Sequence, residues 1–230
     1  MAGRVIVITG AFGVLGRAVA QAAAEGGARL ALVDFAKEPP AGVPSGAEVL
    51  TLGGVDLTDA NQAGAAMDAV AERFGGLDAL LNIAGGFTWE TLQDGSIDRW
   101  PAMYRLNVLT AANASRAAIP HLKRSAAGRI VNVGSAAALK ASLGMGAYAA
   151  AKAGVHSLTQ ALAEELKDDG VTVNAVLPSI IDTPTNRKDM PKADPSTWVA
   201  PADLAAVMLF LASEAARAVT GALLPVTNRT

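Results

Sequence analysis

The sequence contains no cysteine, which excludes a disulfide scaffold, a thiolate metal centre and a cysteine nucleophile together. A chain without thiols suits a reducing compartment, so the expected location is cytoplasmic. Aromatic residues are scarce, with three Trp, two Tyr and five Phe in 230 residues. Alanine and glycine take their place and favour closely approaching helices over ring packing. Neither sign of charge dominates: 19 Lys plus Arg face 21 Asp plus Glu, for a formal net charge of -2. No basic run offers a surface to nucleic acid. The opening MAGRVIVITG enters an apolar stretch that glycine soon interrupts, too short for a signal peptide or a membrane span, so neither export nor membrane contact is expected. Histidine is limited to His121 and His156. Each falls on a predicted helix with no carboxylate or second histidine at ligand spacing, so a surface or packing role is expected and no metal site is proposed. Glu164 and Glu165 read as a solvated helix face.

What is abundant is apolar material, 51% of residues, enough for the core of one domain over residues 1–230. Short β-branched runs at 5–9, 29–33, 48–52, 79–82, 129–134, 172–177 and 222–226 alternate with alanine-rich stretches at helical spacing. The latter lie at 14–25, 59–74, 97–124, 147–168 and 201–213. This alternation predicts an α/β fold with crossover helices on both faces of a parallel sheet. Asp59 is a candidate cap, Gly170 a stop and Pro201 a first-turn residue. Two proline-containing stretches, 37–47 and 179–200, show no period and are predicted loops. The second leaves the carboxyl end of a strand and is expected to lie over a ligand crevice. Together with 136–146 it should set substrate choice, through Leu139, Leu143, Met145 and Trp198, with charge limited to Lys140, Arg187, Lys188 and Lys192.

Directly after the first strand comes Thr9-Gly10-Ala11-Phe12-Gly13-Val14-Leu15-Gly16, opening a helix. That is the context of a dinucleotide fingerprint: glycines let the backbone approach a pyrophosphate, and the helix N-terminus offers unpaired N–H groups to its charge. Three glycines in a tight turn can also serve packing alone. Asp34 ends the second strand, where a carboxylate can accept hydrogen bonds from the adenosine ribose hydroxyls and repel a ribose phosphate. Phe35 and Ala36 follow it, so NAD is expected in preference to NADP, with Lys37 and Arg17 as the nearby cations. A strand-end aspartate can equally cap a turn. Tyr148 and Lys152 stand one helical turn apart on one face, where an ammonium would favour the phenolate and make the tyrosine a workable acid-base group. Such a pair is also common surface decoration.

Over nearly its whole length the chain resembles the classical short-chain dehydrogenase/reductase family. Ser135 lies 13 residues before Tyr148, and Asn107 lies 28 before Ser135, matching that family's Asn, Ser, Tyr, Lys tetrad. Asp56-Leu57, Asn82-Ile83-Ala84-Gly85 and Asn174-Ala175-Val176-Leu177-Pro178 match in order as well. The resemblance implies a Rossmann-type, doubly wound parallel sheet of about seven strands and hydride transfer between a nicotinamide dinucleotide and a small alcohol or carbonyl compound. It makes Tyr148 the acid-base residue and gives Ser135 the substrate carbonyl. Lys152 would bind the nicotinamide ribose and tune the phenol, and Asn107 would hold a relay water. For the cofactor it implies Gly10, Phe12, Gly13, Val14, Leu15 and Gly16 at the pyrophosphate. Asp34 falls at the ribose, and Asp56 with Leu57 at the adenine. Asn82, Ala84 and Gly85 flank the dinucleotide, with Pro178, Ile181 and Thr183 at the carboxamide end. Homodimers or homotetramers built on the helices near 100–124 and 147–167 are implied too.

The chain departs from the family in three places. Val14 stands where the middle glycine of TGxxxGxG belongs, and the resulting spacing, Gly10-x-x-Gly13-x-x-Gly16, resembles the extended branch of the superfamily. Ser179 replaces the glycine that often follows Pro178. The C-terminal Leu224-Pro225-Val226-Thr227-Asn228 lacks the usual aspartate and glycines. Two other functions compete: an NADP-dependent 3-oxoacyl thioester reductase, which Asp34 opposes, and a non-catalytic dinucleotide sensor, which the intact tetrad opposes.

Overall fold

The computed structural model describes residues 1–230, and its first strand shows how the sheet is built. Val5–Thr9 (β1) is apolar at four of its five positions and buried at all of them, as a central parallel strand must be. Its side chains part at period two. Ile6 and Ile8 join a core with Val19, Leu204 and Met208, whereas Val5 and Val7 join a second core with Met67, Val70 and Leu122. The first core is roofed by α1 (Val14–Glu25) and α7 (Pro201–Leu211). The second lies under α2 (Ala60–Phe74), α4 (Thr110–Leu122) and α5 (Gly146–Leu166).

The remaining strands are β2 (Arg29–Asp34), β3 (Val49–Gly53), β4 (Ala79–Asn82), β5 (Arg129–Val133), β6 (Thr172–Pro178) and β7 (Leu223–Val226). They pair in the order β3-β2-β1-β4-β5-β6-β7, every pair parallel. This is the expected doubly wound sheet. After β1 the chain winds toward β3, and from β4 it winds the other way, so a crevice opens at the carboxyl ends of β1 and β4. Several expected boundaries recur: Asp59 caps α2 by accepting from Asn61 N at 2.8 Å, Gly170 adopts the left-handed φ of 72°, and Pro201 opens α7.

Two expectations need correction. The single helix expected over 97–124 is α3 (Arg99–Tyr104), a π turn (Arg105–Leu109) and α4. The widened turn holds because polar side chains satisfy its carbonyls: Asn107 Nδ2 donates to Met103 O at 3.0 Å and Thr110 Oγ1 to Leu106 O at 2.8 Å. The expected loop 179–200 contains a parallel bridge between Ile181 and Val199 and a short helix, α6 (Pro184–Asp189), whose six residues are too few to show a period. Ser179 donates its hydroxyl to Thr227 O at 2.9 Å, and Asn228 Nδ2 donates to Trp198 O at 2.8 Å. The unusual C-terminal residues thereby tie the last strand to the segment over the crevice. No helix is long and apolar enough to cross a membrane.

Candidate active site

Because all seven strands are parallel, the residues that follow them collect on one edge of the sheet. The floor of the crevice is Gly10, whose φ of 63° takes the chain sharply off β1. A Cβ there would lie 2.8 Å from Ala84 N, so only glycine lets the two strand exits meet. Thr9 Oγ1 closes the same junction by accepting from Ile83 N at 3.0 Å and Ala84 N at 3.1 Å. Gly16 is equally constrained: its Cβ would collide with Gly10 O and stand 2.7 Å from Ala11 Cα. Gly13, with only Gly10 O at 3.4 Å, is not. No side chain caps α1 and its first turn holds no carboxylate, so the N–H groups of Val14, Leu15 and Gly16 are left for an anion.

Asp34 closes the far side of the turn. Its carboxylate accepts from Phe12 N and Ala36 N, each at 2.9 Å, which leaves lone pairs on both oxygens for further donors. Phe12 itself is buried in the core with its amide spent on Asp34. Asp56 Oδ1 accepts from Thr58 N and Thr58 Oγ1, and Leu57 is a core residue whose carbonyl accepts from Asn113 Nδ2 at 3.0 Å. Asn82 lies beneath the crevice, its Nδ2 donating to Ser115 Oγ at 3.0 Å and Asn132 Oδ1 at 2.8 Å. At the other end, Pro178 closes β6 and pairs with Val226, Ile181 O accepts from Asn186 Nδ2 at 2.7 Å, and Thr183 Oγ1 caps α6.

The expected tetrad converges beside this crevice. Ser135 follows β5, and Tyr148 and Lys152 stand on one face of α5. The Ser135 hydroxyl acts on the phenol of Tyr148, but burial of the ring is the larger effect and raises the tyrosine above its ordinary pKa. The expectation that Lys152 favours the phenolate is therefore not met in the free protein. Its Nζ instead donates to Val133 O at 2.8 Å, 5.9 Å from the centre of the Tyr148 ring. At 6% exposure the ammonium is desolvated and its pKa falls to about 8. Asn107, in the π turn, both satisfies Met103 O and clasps Gly86, donating to its carbonyl at 3.1 Å and accepting from its amide at 3.3 Å. A Cβ on Gly85 would stand 2.6 Å from Asn107 Oδ1 and 3.6 Å from Lys152 Nζ. The tetrad and the loop after β4 thus form one packed unit.

Some expected features are placed differently. Trp198, expected to face substrate, is 3% exposed and belongs to the interior. Arg187 is neutralised by Asp182 through contacts at 2.6 and 2.8 Å. His156 is buried, and its Nε2 accepts from Ser135 N at 3.3 Å. The segment after Gly86 supplies what sequence reasoning missed. Phe87 packs its ring edgewise on Tyr148, 5.0 Å between centroids, yet stays 56% exposed. Trp89 fills the space a side chain at Gly144 would need, and Glu90 N donates to Gly144 O at 2.9 Å. Two aromatic residues so close together in a chain that has ten were the available signal.

Comparison with known proteins agrees with this fold. The sequence profile described as short chain dehydrogenase matches residues 4–194. The chain is 35% identical to the 2,5-dichloro-2,5-cyclohexadiene-1,4-diol dehydrogenase of Sphingobium indicum, covering 98% of this chain and 95% of that protein. It superposes with a TM-score of 0.91 and 30% identity on a short-chain dehydrogenase/reductase, glucose/ribitol dehydrogenase, of Brucella melitensis, over 99% and 96% of the two chains. A 3-ketoacyl-(acyl-carrier-protein) reductase from Brucella melitensis, in complex with NADH, gives 0.88 and 29% over 99% and 98%. The chain belongs to the short-chain dehydrogenase/reductase family of oxidoreductases.

Proposed function

We propose that the chain is an NAD-dependent dehydrogenase or reductase that interconverts an alcohol and a carbonyl on a small molecule, with Tyr148 as its acid-base residue. The observation that carries the reading is the chain of contacts at the switch point of the sheet, with Asn107 and Lys152 beside Gly85, Lys152 beside the Tyr148 ring and Ser135 at its phenol. The bare turn of α1 and the glycine floor fit a dinucleotide pyrophosphate. Gly10, Gly13, Val14, Leu15 and Gly16 would cradle it through backbone alone. Asp34 would accept the ribose hydroxyls on its remaining lone pairs, and its charge opposes a 2'-phosphate, which favours NAD. Asp56 would meet the adenine, Ala84 and Gly85 would flank the dinucleotide, and Ile181 would meet the carboxamide. When bound, the nicotinamide supplies or accepts the hydride.

The chain's own part is the proton and the orientation. Burial keeps the Tyr148 phenol protonated, ready to donate to the developing alkoxide during reduction. Ser135 polarises the substrate carbonyl, Lys152 holds the nicotinamide ribose, and Asn107 fixes water for proton relay. Phe87, Trp89, Leu139 and Leu143 present exposed apolar surface, while Arg187 is already paired with Asp182, so the surface beside Tyr148 suits the apolar part of a substrate. The absence of thiols suits the cytoplasm, and the helices α4 and α5 are the surfaces proposed for a homodimer or homotetramer.

The test is a panel of alcohols and ketones, followed by nicotinamide absorbance with both cofactors. Tyr148→Phe keeps the ring and its packing but removes the proton donor. Turnover should fall by about 10²- to 10⁴-fold with cofactor affinity nearly unchanged. A rate within about threefold of the parent would refute the mechanism. A thioester reductase would prefer NADP(H) and acyl thioesters, and a sensor would bind cofactor without turning over any member of the panel.

A further inference from the structure

Arg129 and His156 are buried titratable groups that the chemistry above leaves unused, and of the two it is His156 that bonds a residue of the tetrad. It stands one turn beyond Lys152 on α5, on the face that carries Tyr148 and Lys152,. The imidazole is wedged beneath the exit of β5. A Cβ on Gly134 would come within 2.5 Å of its Nε2 and 2.7 Å of its Cδ2, so the glycine is what makes room for the ring. Nε2 then accepts from Ser135 N at 3.3 Å, while Ser135 Oγ accepts from Ala137 N at 3.1 Å. The amide and the hydroxyl of the same serine are therefore both tethered, one by the imidazole and one by the turn that follows.

The bond to Ser135 N needs a lone pair on Nε2, which places the ring proton on Nδ1. Burial, and next the charge of Lys152, hold His156 below the ordinary histidine pKa, so the ring is neutral at pH 7. A protonated ring would set one N–H against another. We infer that His156 is a positioning residue, a neutral Nδ1–H imidazole that fixes the Ser135 amide and so aims the Ser135 hydroxyl at the substrate's carbonyl oxygen. This rests on the role given to Ser135. It replaces the packing role that the sequence suggested, because the ring does more than fill space: it accepts the hydrogen bond of a residue in the site.

With only two histidines in the chain, the protonation state can be read directly. In ¹⁵N spectra of a His121→Gln variant at neutral pH, the remaining imidazole should show a protonated Nδ1 and an unprotonated Nε2. An Nε2–H tautomer or a charged ring would overturn the inference, whether or not any His156 variant folds. In turnover, His156→Leu should lower kcat about tenfold or more with little change in the KM for cofactor, because small misplacements of a reacting group are costly. His156→Gln can place an amide oxygen near the same point and should recover the rate to within about threefold of the parent. If His156→Leu stays within about twofold while Ser135→Ala is impaired, the positioning role falls and the proposed mechanism stands. If Ser135→Ala keeps the parent rate, both fall.

Discussion

Lys152 is the residue where the site's function works most directly against the stability of the fold. Its ammonium is buried, and its pKa drops from 10.5 to about 8. The difference of about 2.5 units, at about 1.36 kcal/mol each, comes to about 3 kcal/mol by which the folded state disfavours the charged lysine. The folded pKa is depressed for a cation, so the folded protein binds fewer protons than the unfolded chain between pH 8 and 10.5. Stability from this group must therefore rise with pH across that window, the penalty being complete below pH 8 and gone above 10.5,. Lys152→Met keeps an unbranched chain and removes the charge, although it leaves Val133 O without its 2.8 Å donor. That lost bond offsets about 1–3 kcal/mol, so the net gain at pH 7 is smaller than the full penalty. The clean readout is the pH dependence. Urea unfolding of parent and variant without cofactor, extrapolated to water, should give curves that approach and then cross as pH rises from 7, the parent gaining about 3 kcal/mol on the variant by pH 10.5. Parallel curves would show that Lys152 is solvated and not held as described. The same variant should lose turnover, a stability gained at the cost of the site.

The two constrained glycines separate from the third. Gly16→Ala forces a Cβ into backbone atoms of Gly10 and Ala11 and should cost about 1–3 kcal/mol, a fall in the thermal midpoint of roughly 2–4 °C per kcal/mol. Gly13→Ala, with its nearest contact at 3.4 Å, should shift the midpoint by no more than a degree or two on the same scale. Asp34→Ala should narrow the preference for NAD(H) over NADP(H) measured by calorimetric titration, and equal affinities in the parent would remove Asp34 from its role. Light scattering should give at least twice the 23.3 kDa chain mass, and a monomer at working concentration would contradict the proposed assembly.

The sequence by itself determined the architecture, because that information is local. Val5 to Thr9 is a run that only a strand buried on both faces can use, the stretch 14–25 is apolar on helical spacing, and alternation of such units leaves a parallel sheet as the way to bury both. That Gly10, Asp34 and Ser135 would share an edge was legible too, since parallel strands bring their exits together, and helical spacing alone put Tyr148 and Lys152 on one face of α5,. What only the tertiary structure decided depends on contacts between distant segments. The resemblance gave Asn107 a relay water, and the fold adds a local bond to Met103, one turn earlier, and a clasp on Gly86, which reaches it from the loop after β4. Trp198 looked like a substrate residue, but the tie between Asn228 and its carbonyl helps to seat it inside. His156 looked inert because its partner, the Ser135 amide, lies 21 residues away, and no periodicity encodes a hydrogen bond between a helix and the end of a neighbouring strand. The pKa of Lys152 and of Tyr148 followed the same rule: spacing on one helix set them side by side, but burial, a property of the whole packed domain, set their charge,.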